Sequence, residues 1–96
     1  MATNTLTWNA NTETNLAGYN AYRQIDTGPT VKLNTTLILK GTQTFVDSAI
    51  TVDGDYKYTV TAVNTGNLES AHSAMVDKVM TVVPPAAPSG LVVTTQ

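Results

Sequence analysis

The single histidine, His72, stands between Ser70 and Ser73, and a hydroxyl close to an imidazole is the pairing from which an activated nucleophile is built. Near neighbours on one loop do not supply the geometry of nucleophile, base and orienting acid, and no Gly-x-Ser-x-Gly elbow occurs in the chain. His72 is therefore read as a loop residue, and no catalytic residue is assigned. Asp53 and Asp55 flank Gly54, while Asn9, Asn11 and Glu13 alternate in another polar stretch, so the oxygen ligands calcium prefers are present in type. Neither stretch carries the full register of a calcium loop, and Asx side chains bonding their own backbone account for both. No metal and no cofactor is expected. The acidic residues fall mostly at turns, which sets no acid and base facing each other across a cleft for glycoside hydrolysis. Trp8, Tyr19, Tyr56 and Tyr58 could stack a sugar ring, but their shared inward parity assigns them to a core, leaving Tyr22 as the outward aromatic. Asn34-Thr35-Thr36 is the one N-x-[ST] sequon, which makes Asn34 the candidate for glycosylation. The expectation is a protein that is not an enzyme.

Such residues must be carried by a scaffold, and composition bounds it. At 96 residues there is room for one domain, with 42% hydrophobic residues and only 12% charged, about half the usual quarter. Threonine and asparagine solvate the surface instead, and threonine is β-branched and favoured on half-buried strands. Five basic against seven acidic residues give a net charge of −2, which offers no basic stripe for a phosphate backbone, so nucleic acid is not an expected partner. No apolar run approaches the roughly 20 residues of a membrane-spanning helix. Cysteine is absent, which removes disulfides, thiol chemistry and thiolate metal sites together.

Period-two alternation bounded by turn residues recurs along the whole chain, and no capped 3.6-residue period competes with it. The pattern predicts an all-β fold with strands over residues 3–8, 18–24, 31–33 (reaching towards 39), 42–46, 55–64 and 74–83. Strand parity predicts a core of Leu6, Trp8, Tyr19, Ala21, Tyr58, Val60 and Ala62, with Lys57, Thr59 and Thr61 on the opposite face. Pro84-Pro85-Ala86-Ala87-Pro88 withdraws amide donors and ends ladder pairing. After this stiff stretch the chain turns strand-like again, through Gly90, Leu91, Val92, Val93, Thr94 and Thr95.

Leu6-Thr7-Trp8, the stretch NTETNLAGYNAYR over residues 11–23, Ile50 followed six positions later by Tyr56, and NTGNLESAHS over residues 64–73 together resemble the fibronectin type III domain, particularly its bacterial and archaeal surface versions. The resemblance implies an immunoglobulin-like two-sheet sandwich and, at Ile50 and Tyr56, a tyrosine corner whose phenol bonds an upstream backbone group. It also implies that the family's proline-flagged first strand is missing ahead of Met1 and stands at the C-terminus instead, so that the repeat is phase-shifted.

Three parts follow: an incomplete sandwich over residues 1–83, a linker over 84–89 and a donor strand over 90–96. In the topology that the resemblance implies, the last strand ends at the pole opposite to where the first begins, and the seven steps from Val83 to Gly90 reach at most about 23 Å, short of the roughly 27–33 Å length of an eight- to ten-residue strand. The segment is thus expected to enter a neighbouring copy as its seventh strand, by β-augmentation through a heterologous, non-closing contact. The expected protein is a structural subunit of an extracellular or cell-surface filament, a homopolymer whose partners are copies of itself. The alternative is a passive spacer or carbohydrate-associated module of a tandem-repeat extracellular protein.

Overall fold

A computed structural model describes residues 2–82 and 87–95. Seven strands follow in order: β1 (Ala2–Thr7), β2 (Leu16–Ile25), β3 (Thr30–Lys32), β4 (Ile38–Leu39), β5 (Thr44–Ile50), β6 (Gly54–Asn64) and β7 (Val76–Met80). β1 and β5 pair as a two-stranded sheet, and the second sheet runs β3-β2-β6-β7 with β4 also on β2. All pairings are antiparallel and no described residue is helical. The chain is an all-β protein of two antiparallel sheets packed as a sandwich.

The longest pairing, β2 with β6, joins the two segments of clearest alternation, from Leu16↔Asn64 to Ile25↔Tyr56. β2 begins before Gly18, which lies inside the strand. A Cβ at Gly18 would sit 2.2 Å from the Ile38 carbonyl oxygen, so the missing side chain is what lets β4 approach β2. β5 extends beyond Val46 to Ile50 because it follows β1 back to Ala2. The expected strand from Val31 divides into β3 and β4, and Asn34 fills the gap. Its Oδ1 accepts from the Ala21 amide at 2.8 Å, while Nδ2 donates to Asn20 Oδ1 at 2.8 Å and to the Thr36 carbonyl at 3.0 Å. Asn34 is buried, and a glycan on Nδ2 would have to displace those donations. In the folded chain it clamps the edge of β2. β7 is shorter than residues 74–83, and Val83, Pro84, Pro85 and Ala86, with most of the prolines of the expected linker, lie outside the described residues.

Ile50, Tyr56 and Tyr58 form the closed core, against which Leu6, Ile25, Leu33, Met80 and Val82 pack. Tyr19 and Ala21 are buried as well. Leu6, Trp8, Val60 and Ala62, by contrast, are only half-buried, so the core predicted from parity is open along one side. Thr59 and Thr61, on the opposite face, are buried instead. The Tyr56 hydroxyl donates to the Val52 carbonyl at 2.7 Å, tying the turn between β5 and β6 to a fully buried ring. Tyr56→Phe keeps the ring and loses this bond, and is expected to cost about 0.5–1.5 kcal/mol. The loss is read as a lower urea midpoint at constant slope; an unmoved midpoint would take the hydroxyl out of the turn's stability.

Candidate functional site

β1 and the residue after it present Ala2, Asn4, Leu6 and Trp8 towards the second sheet, and the threonines of β1 face solvent. One edge of β1 is paired with β5, and the Trp8 amide continues that ladder to the Gln43 carbonyl at 3.2 Å. Backbone groups alternate between the two edges of a strand. Those of Thr5 and Thr7 therefore point to the other edge, where no described strand lies. Beside that edge runs a groove of about 680 Å³ between the sheets, lined by Leu6, Trp8, Tyr58, Val60, Ala62 and Val76 among others. The half-exposure of Val60 and Ala62 has this cause: they line the open groove, and among the described residues no strand covers them. Trp8 meets Tyr19 edge-on, with ring centroids 5.3 Å apart, and its indole Nε1 has no hydrogen-bond partner among the described residues.

A buried polar junction closes one end of the groove. Arg23 Nη1 donates to both Asp47 oxygens, at 3.0 and 3.1 Å, the Tyr58 hydroxyl donates to Asp47 Oδ2 at 2.7 Å, and the Ala49 amide caps Oδ1 at 3.2 Å. Asn4 Nδ2 in turn donates to the Tyr58 hydroxyl at 2.9 Å. Four strands, β1, β2, β5 and β6, thus meet at one carboxylate. Burial, and then donation to the Asp47 carboxylate, push the Tyr58 phenol up to about 12. A folded-state value above the ordinary one near 10 means that the protonated phenol stabilises the fold below pH 10 and that this contribution is lost as pH rises from 10 to 12. Stability is expected to fall across that window. In Tyr58→Phe the part of the fall due to this group should be missing, as read from unfolding midpoints at stepped pH; parallel curves for the two chains would refute the linkage.

The residues between β6 and β7 form a strap across the groove's other side. Beyond Tyr58, β7 no longer flanks β6, and on that edge Ser70 and Ser73 take the place of a strand. The Ser73 amide donates to the Val60 carbonyl at 2.9 Å and the Ser70 amide to the Ala62 carbonyl at 2.8 Å. Their hydroxyls accept the Val60 and Ala62 amides, each at 2.9 Å. His72 turns to the outer face, where Nδ1 shares a 2.8 Å hydrogen bond with Thr59 Oγ1 and the ring lies 4.5 Å from that of Tyr22. Beside it the Glu69 carboxylate accepts from Tyr22, Thr61 and Asn20. The Thr61 and Tyr22 hydroxyls hold its pKa below the usual glutamate value. The histidine and serines considered as a nucleophilic pair are thus joined to Thr59 and to the β6 edge.

The other oxygen groups considered for a cation have protein partners. Asn11 Nδ2 reaches Glu13 Oε1 at 3.4 Å, and Asp53 Oδ1 accepts the Val82 amide at 2.6 Å. Desolvation, and then the neighbouring Asp77, raise the pKa of Asp55. Among the described residues no three acidic, histidine or cysteine side chains are grouped to hold a metal ion, and no helix is long and apolar enough to cross a membrane.

Residues 87–95 pair with neither sheet. Leu91, Val92 and Val93 are 89%, 76% and 84% exposed. The chain's longest dimension is 80 Å against 26 and 20 Å, and its radius of gyration of 19.6 Å compares with about 12.5 Å for a compact chain of this length. No family model matches the sequence, and neither does any curated protein or solved structure.

Proposed function

We propose that this chain is a structural subunit of an extracellular filament or surface assembly, in which Gly90, Leu91, Val92, Val93, Thr94 and Thr95 of one copy enter the groove of the next and pair with the open edge of β1. One observation carries the reading: the same chain holds an apolar groove beside an unpaired strand edge and an apolar, strand-patterned segment that its own sheets leave exposed. The six residues of β1 match the six of the donor, each about 20 Å when extended. Exposed runs of apolar residues and bare strand edges are both features that proteins cover, and one contact would cover both. Donor and acceptor are different surfaces, so the contact need not close and repeats head to tail. The fibronectin type III assignment and the extracellular location belong to this proposal and rest on the resemblance of the sequence. An enzymatic role gains no support, since His72, Ser70 and Ser73 have structural partners.

The test is the size of the 96-residue chain by light scattering and electron microscopy over a range of concentrations. Regular linear polymers that lengthen with concentration are expected. A compact monomer at every concentration would overturn head-to-tail assembly and leave the spacer reading.

A further inference from the structure

Two strand edges border the groove, and they are treated differently. β1 leaves the backbone groups of Thr5 and Thr7 open, whereas β6 has its Val60 and Ala62 amides and carbonyls all engaged by Ser70 and Ser73. The serines lie three positions apart and the β6 residues two, so the strap is not a strand. The Ser70 and Ser73 hydroxyls, which themselves donate to the Ala71 and Ala74 carbonyls, stand where a paired strand would place carbonyl oxygens. The strap is fixed from outside by Glu69 on Asn20, Tyr22 and Thr61, and by His72 on Thr59. It turns only small side chains, Ser70, Ala71, Ser73 and Ala74, to the groove, so the space beside β1 stays free for branched residues.

On the footing of the strand addition described above, we propose that this strap is its specificity element: it denies the incoming segment of a second copy the edge of β6 and directs backbone pairing to β1 alone. An unprotected edge on β6 would accept a strand as readily as β1 does, and a groove with two competing edges would not fix a single register. Ser70 and Ser73 remove the competitor while leaving the groove wide enough to enter.

Residue-resolved hydrogen exchange on the intact chain, from dilute to assembled concentrations, tests this. In the unaltered protein the Val60 and Ala62 amides should be protected at all concentrations, and the Thr5 and Thr7 amides should gain protection only as the chain assembles. In Ser70→Ala with Ser73→Ala, Val60 and Ala62 should exchange about ten-fold faster or more in dilute solution. They should then become protected on assembly, with regular polymers giving way to branched or irregular ones. Ser70→Thr with Ser73→Thr retains the hydroxyls and should restore slow exchange and regular assembly. If Thr5 and Thr7 gain protection in both chains while the serine-to-alanine variant shows unchanged exchange at Val60 and Ala62 and unchanged polymers, the strap has no such role and strand addition stands. If Thr5 and Thr7 gain protection at no concentration, strand addition at β1 is itself overturned, and the strap's role with it.

Discussion

Replacing Asp47 with alanine is expected to destabilise the sandwich by about 3–5 kcal/mol, the range for leaving one member of a buried ion pair without its partner. Asp47 is 3% exposed and the Arg23 side chain 15%. Removing the carboxylate strands the guanidinium, whose Nε has no partner among the described residues, and frees the Tyr58 hydroxyl and the Ala49 amide together. The Arg23 guanidinium also sits 5.7 Å from the Tyr56 ring centroid, so its displacement reaches the closed core. For a domain of this size the loss corresponds to a fall in Tm of roughly 12 °C or more. The pair's net worth is a different quantity, because forming it costs the desolvation of both ions. Arg23→Met with Asp47→Leu should therefore recover the part of the loss due to the stranded guanidinium, leaving that of the Tyr58 hydroxyl and the Ala49 amide. A single-variant loss below about 1 kcal/mol, the scale of an exposed ion pair, would show that the junction is open to water.

This junction was partly legible from the chain. Arg23 shares its parity with Tyr19 and Ala21 on a strand that reads as inward-facing, and a cation on a buried face must meet an anion. Asp47 meets it because β5 continues to Ile50, past the end at Val46 that the alternation predicts. Alternation placed β2 and β6 well, since each carries a long period-two run, and it placed Tyr19, Ala21 and Tyr58 inside. It failed for Val60 and Ala62 because parity tells which way a side chain points and not whether anything lies opposite. Thr59 and Thr61 lie on the opposite face as the alternation has them, and they are buried there because His72 and Glu69 lie over them. Asn34, Ser70 and Ser73 replace backbone with side chain at sheet edges. That substitution has no periodic signature, so these residues read as ordinary loop polarity. The terminal segment stood out because apolar alternation resumed after prolines that end pairing.

The largest functional effect is expected from Leu91→Asp with Val93→Asp. Both side chains are exposed within the chain that carries them, so the sandwich should keep its β spectrum and its urea midpoint as a monomer, and only the contact between copies should change. On insertion each apolar side chain stabilises the contact by roughly 1.5–3 kcal/mol, and together they amount to a loss of about 10²- to 10⁴-fold in association at about 1.4 kcal/mol per decade. The carboxylates add the cost of desolvation among Leu6, Trp8 and Val60 in the groove. The double variant should be monomeric at concentrations where the unaltered chain forms polymers. Val92 supplies the control, since it alternates with Leu91 and Val93 and would face solvent in the inserted strand. Val92→Asp should weaken assembly far less than Leu91→Asp or Val93→Asp alone. Equal effects at all three positions would mean that the segment associates through its greasiness and not through a registered strand, and polymers unchanged in the double variant would remove residues 90–95 from the contact altogether.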